Sequence, residues 1–132
     1  FLTDVFPLVD SFFSSKETMM ESRNMSFILD VMQRIGIETE IIFSDEMNCT
    51  KTSTELLVEI LKKTGADVYI CGGGASGYQK DGLFDENGIG LEYNDFEIKP
   101  YPQFNSNEGF KEGLSIVDCL MNVGFDNLRK FL

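Results

Sequence analysis

Apolar positions along this chain switch repeatedly between a helical and a strand-like period. Leu2 to Phe13 is a helix-like apolar run crossed by Pro7, and the polar stretch Ser14 to Thr18 that follows is the best linker candidate. From Asn24, Phe27, Val31 and Ile35 recur every fourth residue with Ile28 and Met32 beside them, which predicts a helix. Gly36 is placed to end it in the left-handed conformation. "IETEIIF", Ile37 to Phe43, reads as a strand whose apolar end suits burial on both faces. Thr52 and Glu55 are spaced as a capping box for the next helix. There Leu56, Leu57, Ile60 and Leu61 form the buried stripe, Glu59, Lys62 and Lys63 face water, and Gly65 closes the element.

"DVYIC", Asp67 to Cys71, is a second strand, so strand, helix and strand make a βαβ unit with parallel strands. Asp81 to Asn87 is a short helix or a turn. Ile89, Leu91 and Tyr93 alternate with polar neighbours and predict a third, half-exposed strand over Ile89 to Phe96. Glu97 to Gly113, with Pro100 and Pro102, is a polar loop too long for mere connection. Ile116, Val117, Leu120 and Met121 resume a helical stripe, and Asp126 is expected to cap a last short helix ending at Leu132. The fold class is α/β: a small parallel or mixed sheet with a βαβ unit and flanking helices, complete or a fragment of a larger α/β domain. Residues 1–23 form an N-terminal helical segment, read as the end of a missing region, and 24–132 a single α/β domain.

Composition narrows the chemistry. At 132 residues the chain is large enough for one ordinary core. It holds no histidine, which removes the commonest general base and zinc ligand from any catalysis by the chain alone. Its net charge of −11 argues against nucleic acid as a partner and against an anionic membrane surface. Three widely spaced cysteines with no C-x-x-C pair suit reduced thiols and a cytoplasmic location. No apolar window is long enough to span a membrane.

The stretch "YICGGGASGYQK", Tyr69 to Lys80, carries the sharpest candidate site. A strand that ends in Gly72, Gly73 and Gly74 brings bare backbone N–H groups within reach of a phosphate or carboxylate. In a parallel sheet that is also where ligands bind, beyond the carboxyl ends of the strands. The alternative is a turn that needs glycine's positive φ. "GGGASGY" matches neither dinucleotide-binding nor P-loop spacing. Cys71 has no histidine to activate it. Ser44, Asp45 and Glu46 follow the first strand and offer carboxylates to Mg²⁺, or are solvated loop acids. In "KPYPQF" the prolines present Tyr101 and Gln103 for stacking and hydrogen bonding, or pack as a Pro-aromatic loop. Ser115 and Asp118 lie three apart on one helical face, and a buried Asp118 needs partners.

"IGIETEIIFSDEM", "KKTGADVYICGGGASGYQKDGLFDENGIGLEYNDFEIKPYPQF" and "GLSIVDCLMNVG" together resemble the second half of the WbqC-like family, over roughly Asn24 to Gly124. The matching positions are Gly72, Gly74, Tyr78, Phe84, Tyr93, Asp95, Phe96, Pro100, Tyr101, Gln103, Ser115, Asp118, Asn122 and Gly124. The family typically has serine at Cys71, commonly arginine at Glu55 and histidine at Lys99. Its usual first segment, similar to H-Q-P-x-Y-L-P-W, has no match here, so the resemblance implies a truncated or divergent relative.

The resemblance implies an enzyme of surface-polysaccharide precursor biosynthesis, of the O-antigen type, a transferase or ligase acting on a nucleotide-activated sugar. Its cofactor is unknown, with Mg²⁺ as a candidate. The alternative is a non-catalytic sugar-binding or scaffolding module. The expected ligand-binding residues are Gly72, Gly73, Gly74, Tyr78, Asp95, Tyr101, Gln103, Ser115 and Asp118. The strand ends carrying Ser44, Cys71 and Asp95 are expected to form one rim, with the Lys99 to Gly113 loop folded over it. The partner is a small-molecule sugar or nucleotide sugar, with no nucleic acid and no membrane insertion. A homo-oligomer or a missing N-terminal half is a further partner left open.

Overall fold

The computed structural model describes residues 1–104 and 109–132, without the side chain of Ser76. Residues 105–108 of the expected long loop lie outside the described residues. The chain forms two compact units, Phe1–Thr39 with Ile98–Leu132, and Glu40–Glu97.

The first unit is helical. Helix α1 (Leu2–Ser14) and helix α2 (Met20–Arg34) pack on each other, and α1 also packs on α5 (Ile116–Val123), which leads into the short α6 (Phe125–Leu128). Val5 and Leu8 of α1, Val31 and Ile35 of α2, and Leu120, Val123 and Leu128 meet in one core with Tyr101 and Cys119. Pro7 stands inside α1 and withholds a donor from the carbonyl of Thr3, which is exposed and can turn to water. Gly36, at φ +66°, turns the chain after α2 as its position predicts, and Arg129 donates to its carbonyl at 2.8 Å. Asp126 does not cap the last helix. Gly124 holds that position, because its φ of +73° makes the corner between α5 and α6 and leaves Asp126 in the first turn.

The second unit holds the sheet. Helix α3 (Ser53–Thr64) precedes strand β1 (Val68–Gly72), a 3₁₀ turn over Gly73–Gly77, helix α4 (Gly82–Glu86) and strand β2 (Gly90–Asn94). β1 and β2 are parallel, in register from Val68↔Gly90 to Gly72↔Asn94. Parallel neighbours need a crossover, and Gly73 to Ile89 supplies it with α4 inside. Val58, Phe84 and Ile89 form the core, and the Tyr69 ring stacks on Phe84 at 5.1 Å.

Two local expectations change. Ile37 to Phe43 is not a strand, so the parallel unit is β1–α4–β2 rather than one begun before α3. The segment runs from the first unit into the second at Glu40, with Ile37 packed into the first unit's core and Ile41 and Ile42 exposed. A strand needs a neighbour for its N–H and C=O groups, and no described strand pairs with this one. The capping box at α3 is also absent. Thr52 occupies the N-cap, but its side chain accepts no cap hydrogen bond, and Glu55 is turned towards Lys80.

Candidate functional site

The nine expected site residues divide between the units: Gly72, Gly73, Gly74, Tyr78 and Asp95 in the sheet unit, and Tyr101, Gln103, Ser115 and Asp118 in the helical one.

In the sheet unit, register decides the neighbours. Cys71 lies opposite Tyr93 and Gly72 opposite Asn94, with Asp95 next along the chain, so both strands end together at their carboxyl ends. Ser44 does not join them as a strand end, because it opens a 3₁₀ turn over Ser44–Met47. None of Gly72, Gly73 and Gly74 has a positive φ. A Cβ added to any of them would meet nothing within 4 Å. Neither turn geometry nor packing within the chain therefore calls for glycine at these three positions. Their open side leaves the backbone approachable from outside.

Side chains after the glycines complete the cluster. Tyr78 is 79% exposed. Gln79 donates from Nε2 to the Tyr93 hydroxyl at 3.2 Å and to the Cys71 sulfur at 3.6 Å, and Tyr93 in turn donates to Asp81 at 2.9 Å. Desolvation, with the Asp81 carboxylate accepting its proton, pushes the Tyr93 pKa above the ordinary phenol value. Tyr93 is thus a neutral donor at physiological pH.

The turn is anchored on α3. Buried Thr54 accepts from the Lys80 N–H at 3.1 Å, and Lys80 pairs with Glu55 at 3.2 Å. Gln79, Asp81 and Thr54 were not singled out by the sequence. Only their distance along the chain from "YIC" and their polar character could have drawn attention, since their partners are set by the fold.

In the helical unit Tyr101 of "KPYPQF" is turned inward. Tyr101 is buried and donates to Asp118 at 2.8 Å, while Gln103 Nε2 reaches the same carboxylate oxygen at 3.4 Å. The Gln103 amide also clasps Lys111 in both directions, donating to its carbonyl at 2.9 Å and accepting from its N–H at 2.8 Å. Desolvation, with Asp118 as acceptor, raises the Tyr101 pKa. Ser115 caps α5 by accepting from the Val117 N–H at 3.3 Å. Asp118 thus has the partners its position demands, and Lys99 reaches the carbonyls of Lys130 and Leu132.

The cysteines are free, Cys71 and Cys119 buried. Among the described residues no group of three or more His, Cys, Asp or Glu side chains could hold a metal ion, and no helix is long and apolar enough to cross a membrane.

Comparison with known proteins places the chain. It is 26% identical over 118 residues to the Uncharacterized protein Rv1507c of Mycobacterium tuberculosis, a match that takes in 89% of this chain. The same match covers 50% of that protein, so the chain spans about half the length of this curated relative. No solved structure matches it. The WbqC-like family model matches residues 1–130, including the N-terminal segment outside the motif resemblance, and the chain belongs to the WbqC-like protein family.

Proposed function

We propose that this chain is part of an enzyme of surface-polysaccharide precursor biosynthesis, of the O-antigen type, and that it binds a nucleotide-activated sugar at the carboxyl ends of β1 and β2. The carrying observation is the run Gly72, Gly73, Gly74, whose backbone needs no positive φ and whose missing side chains leave open space. Phosphate oxygens approach such bare backbone closely. Exposed Tyr78 offers a ring face for a base or sugar. The Gln79–Tyr93–Asp81 chain offers hydrogen bonds to hydroxyls.

A non-catalytic sugar-binding or scaffolding module is the second reading.

Thermal shift of the chain against nucleotide sugars, nucleotides and free sugars, with and without Mg²⁺, tests both. A ligand at about 100 times its Kd stabilises by about 2.7 kcal/mol, a rise in Tm of several degrees. Gly74→Val abolishes that rise while leaving the unliganded Tm nearly unchanged. If the rise survives Gly74→Val, the ligand is bound elsewhere. Turnover of a stabilising nucleotide sugar separates enzyme from module.

A further inference from the structure

The helical unit contains a cavity lined by none of the nine site residues above. α1, α2 and the link between them line an open cleft of about 420 Å³, within the range of small-molecule sites. Leu8, Phe12 and Phe27 give it apolar surface, with the Phe12 and Phe27 rings edge to face at 5.7 Å. Ser11 and Ser14 line it from α1, Ser22 and Ser26 from α2. These four hydroxyls make no hydrogen bond to a described residue.

Arg23 shapes the wall. Its Nη2 donates to the backbone carbonyls of Ser15 and Glu17, which holds the link in place, while its Nε is buried without an acceptor. A buried donor left without an acceptor costs stability.

The acids of the cavity are already engaged. Asp30 holds Arg34 at 2.7 Å, and Glu17 accepts from the Met19 N–H at 2.8 Å. Unspent capacity is therefore mostly neutral hydroxyl beside an aromatic and aliphatic surface. A phosphate would meet two carboxylates for one guanidinium, which disfavours it. A sugar ring matches both halves: its hydroxyls donate and accept as serine does, and its C–H face packs on phenyl rings.

We propose that the α1–α2 cavity binds an uncharged monosaccharide unit, as a carbohydrate position separate from the strand-end glycines. It stands on this cavity alone, whatever the strand-end site binds.

Amide NMR of the ¹⁵N-labelled chain, titrated separately with D-glucose, D-galactose and N-acetyl-D-glucosamine, tests it. At least one sugar gives saturable shifts at Ser11, Ser22, Arg23 and Ser26, with Gly72 to Tyr78 unmoved. Ser11→Ala combined with Ser26→Ala removes two hydroxyls from exposed helix positions and weakens that binding about tenfold, with an unchanged Tm. Arg23→Lys weakens it as well. The proposal is overturned if no sugar saturates, if the double variant binds equally, or if inorganic phosphate binds this cavity more tightly than any sugar. If the neutral sugars shift only Gly72 to Tyr78, the proposal is overturned while the strand-end reading is supported.

Discussion

Glu59 is partly buried on α3, and it organises the chain that leads into the helix. One carboxylate oxygen accepts the N–H groups of Thr50 and Lys51, each at 3.0 Å, and the other pairs with Lys63 at 3.2 Å. The backbone hydrogen bonds, more than the lysine, hold its pKa below the ordinary carboxyl value. A carboxyl with a lowered folded pKa adds stability above its unfolded pKa, and that stability is lost as pH falls through the folded value. Glu59→Gln therefore lowers Tm at neutral pH. The gap from wild type closes as pH drops below about 4, near and under the unfolded glutamate value. Melting curves of both proteins from neutral to acid pH check this, and a gap that persists in acid contradicts it. Tyr101 and Asp118 illustrate the same scale differently. That Asp118 needs a partner is legible from its place beside an apolar stripe. That Tyr101 and Gln103 both reach it is not, because the two segments meet only in the folded chain.

Among the elements, the glycine stops at helix C-termini were the most legible, because they depend on a few adjacent residues. Gly65 sits at φ +71° after α3, and Ala66 donates back to the Leu61 carbonyl at 2.9 Å, as a left-handed stop requires. Gly74 has no positive φ and open space at its missing Cβ. The two glycines should answer alanine oppositely. Gly65→Ala costs about 1 kcal/mol because the new side chain is strained at that φ. Gly74→Ala is neutral or stabilises by up to about 1 kcal/mol, through a less free unfolded chain. Urea unfolding of the two variants separates a structural glycine from one kept for what approaches it. Strands were less legible. "IETEIIF" has the right residue types for a strand, but a strand exists only where another backbone completes its hydrogen bonds. β1 and β2 pair across the crossover that holds α4, whose Phe84 packs on Tyr69.

For the whole molecule, the notable fact is two cores in a chain of one-domain size. Leu120 and Phe84 are each fully buried, one in the helical cluster and one in the sheet cluster. Leu120→Ala should cost about 2–5 kcal/mol and Phe84→Ala about 3–5 kcal/mol. Each should raise amide hydrogen exchange in its own unit first, Leu120→Ala in 1–39 and 98–132, Phe84→Ala in 40–97. Loss of protection spread evenly over both units by either variant contradicts two cores.

The sequence by itself determined the α/β class, the helical periods of α2, α3 and α5, the glycine stops at Gly36 and Gly65, and the family. Each of these rests on local spacing or on the identity of a short motif. Only the tertiary structure decided which strands pair, that "KPYPQF" turns its tyrosine inward onto Asp118, and that Gln79, Tyr93 and Asp81 link beside the glycines. These depend on hydrogen-bond partners distant along the chain, and no pattern of neighbouring residues specifies which distant group will complete a buried donor or acceptor.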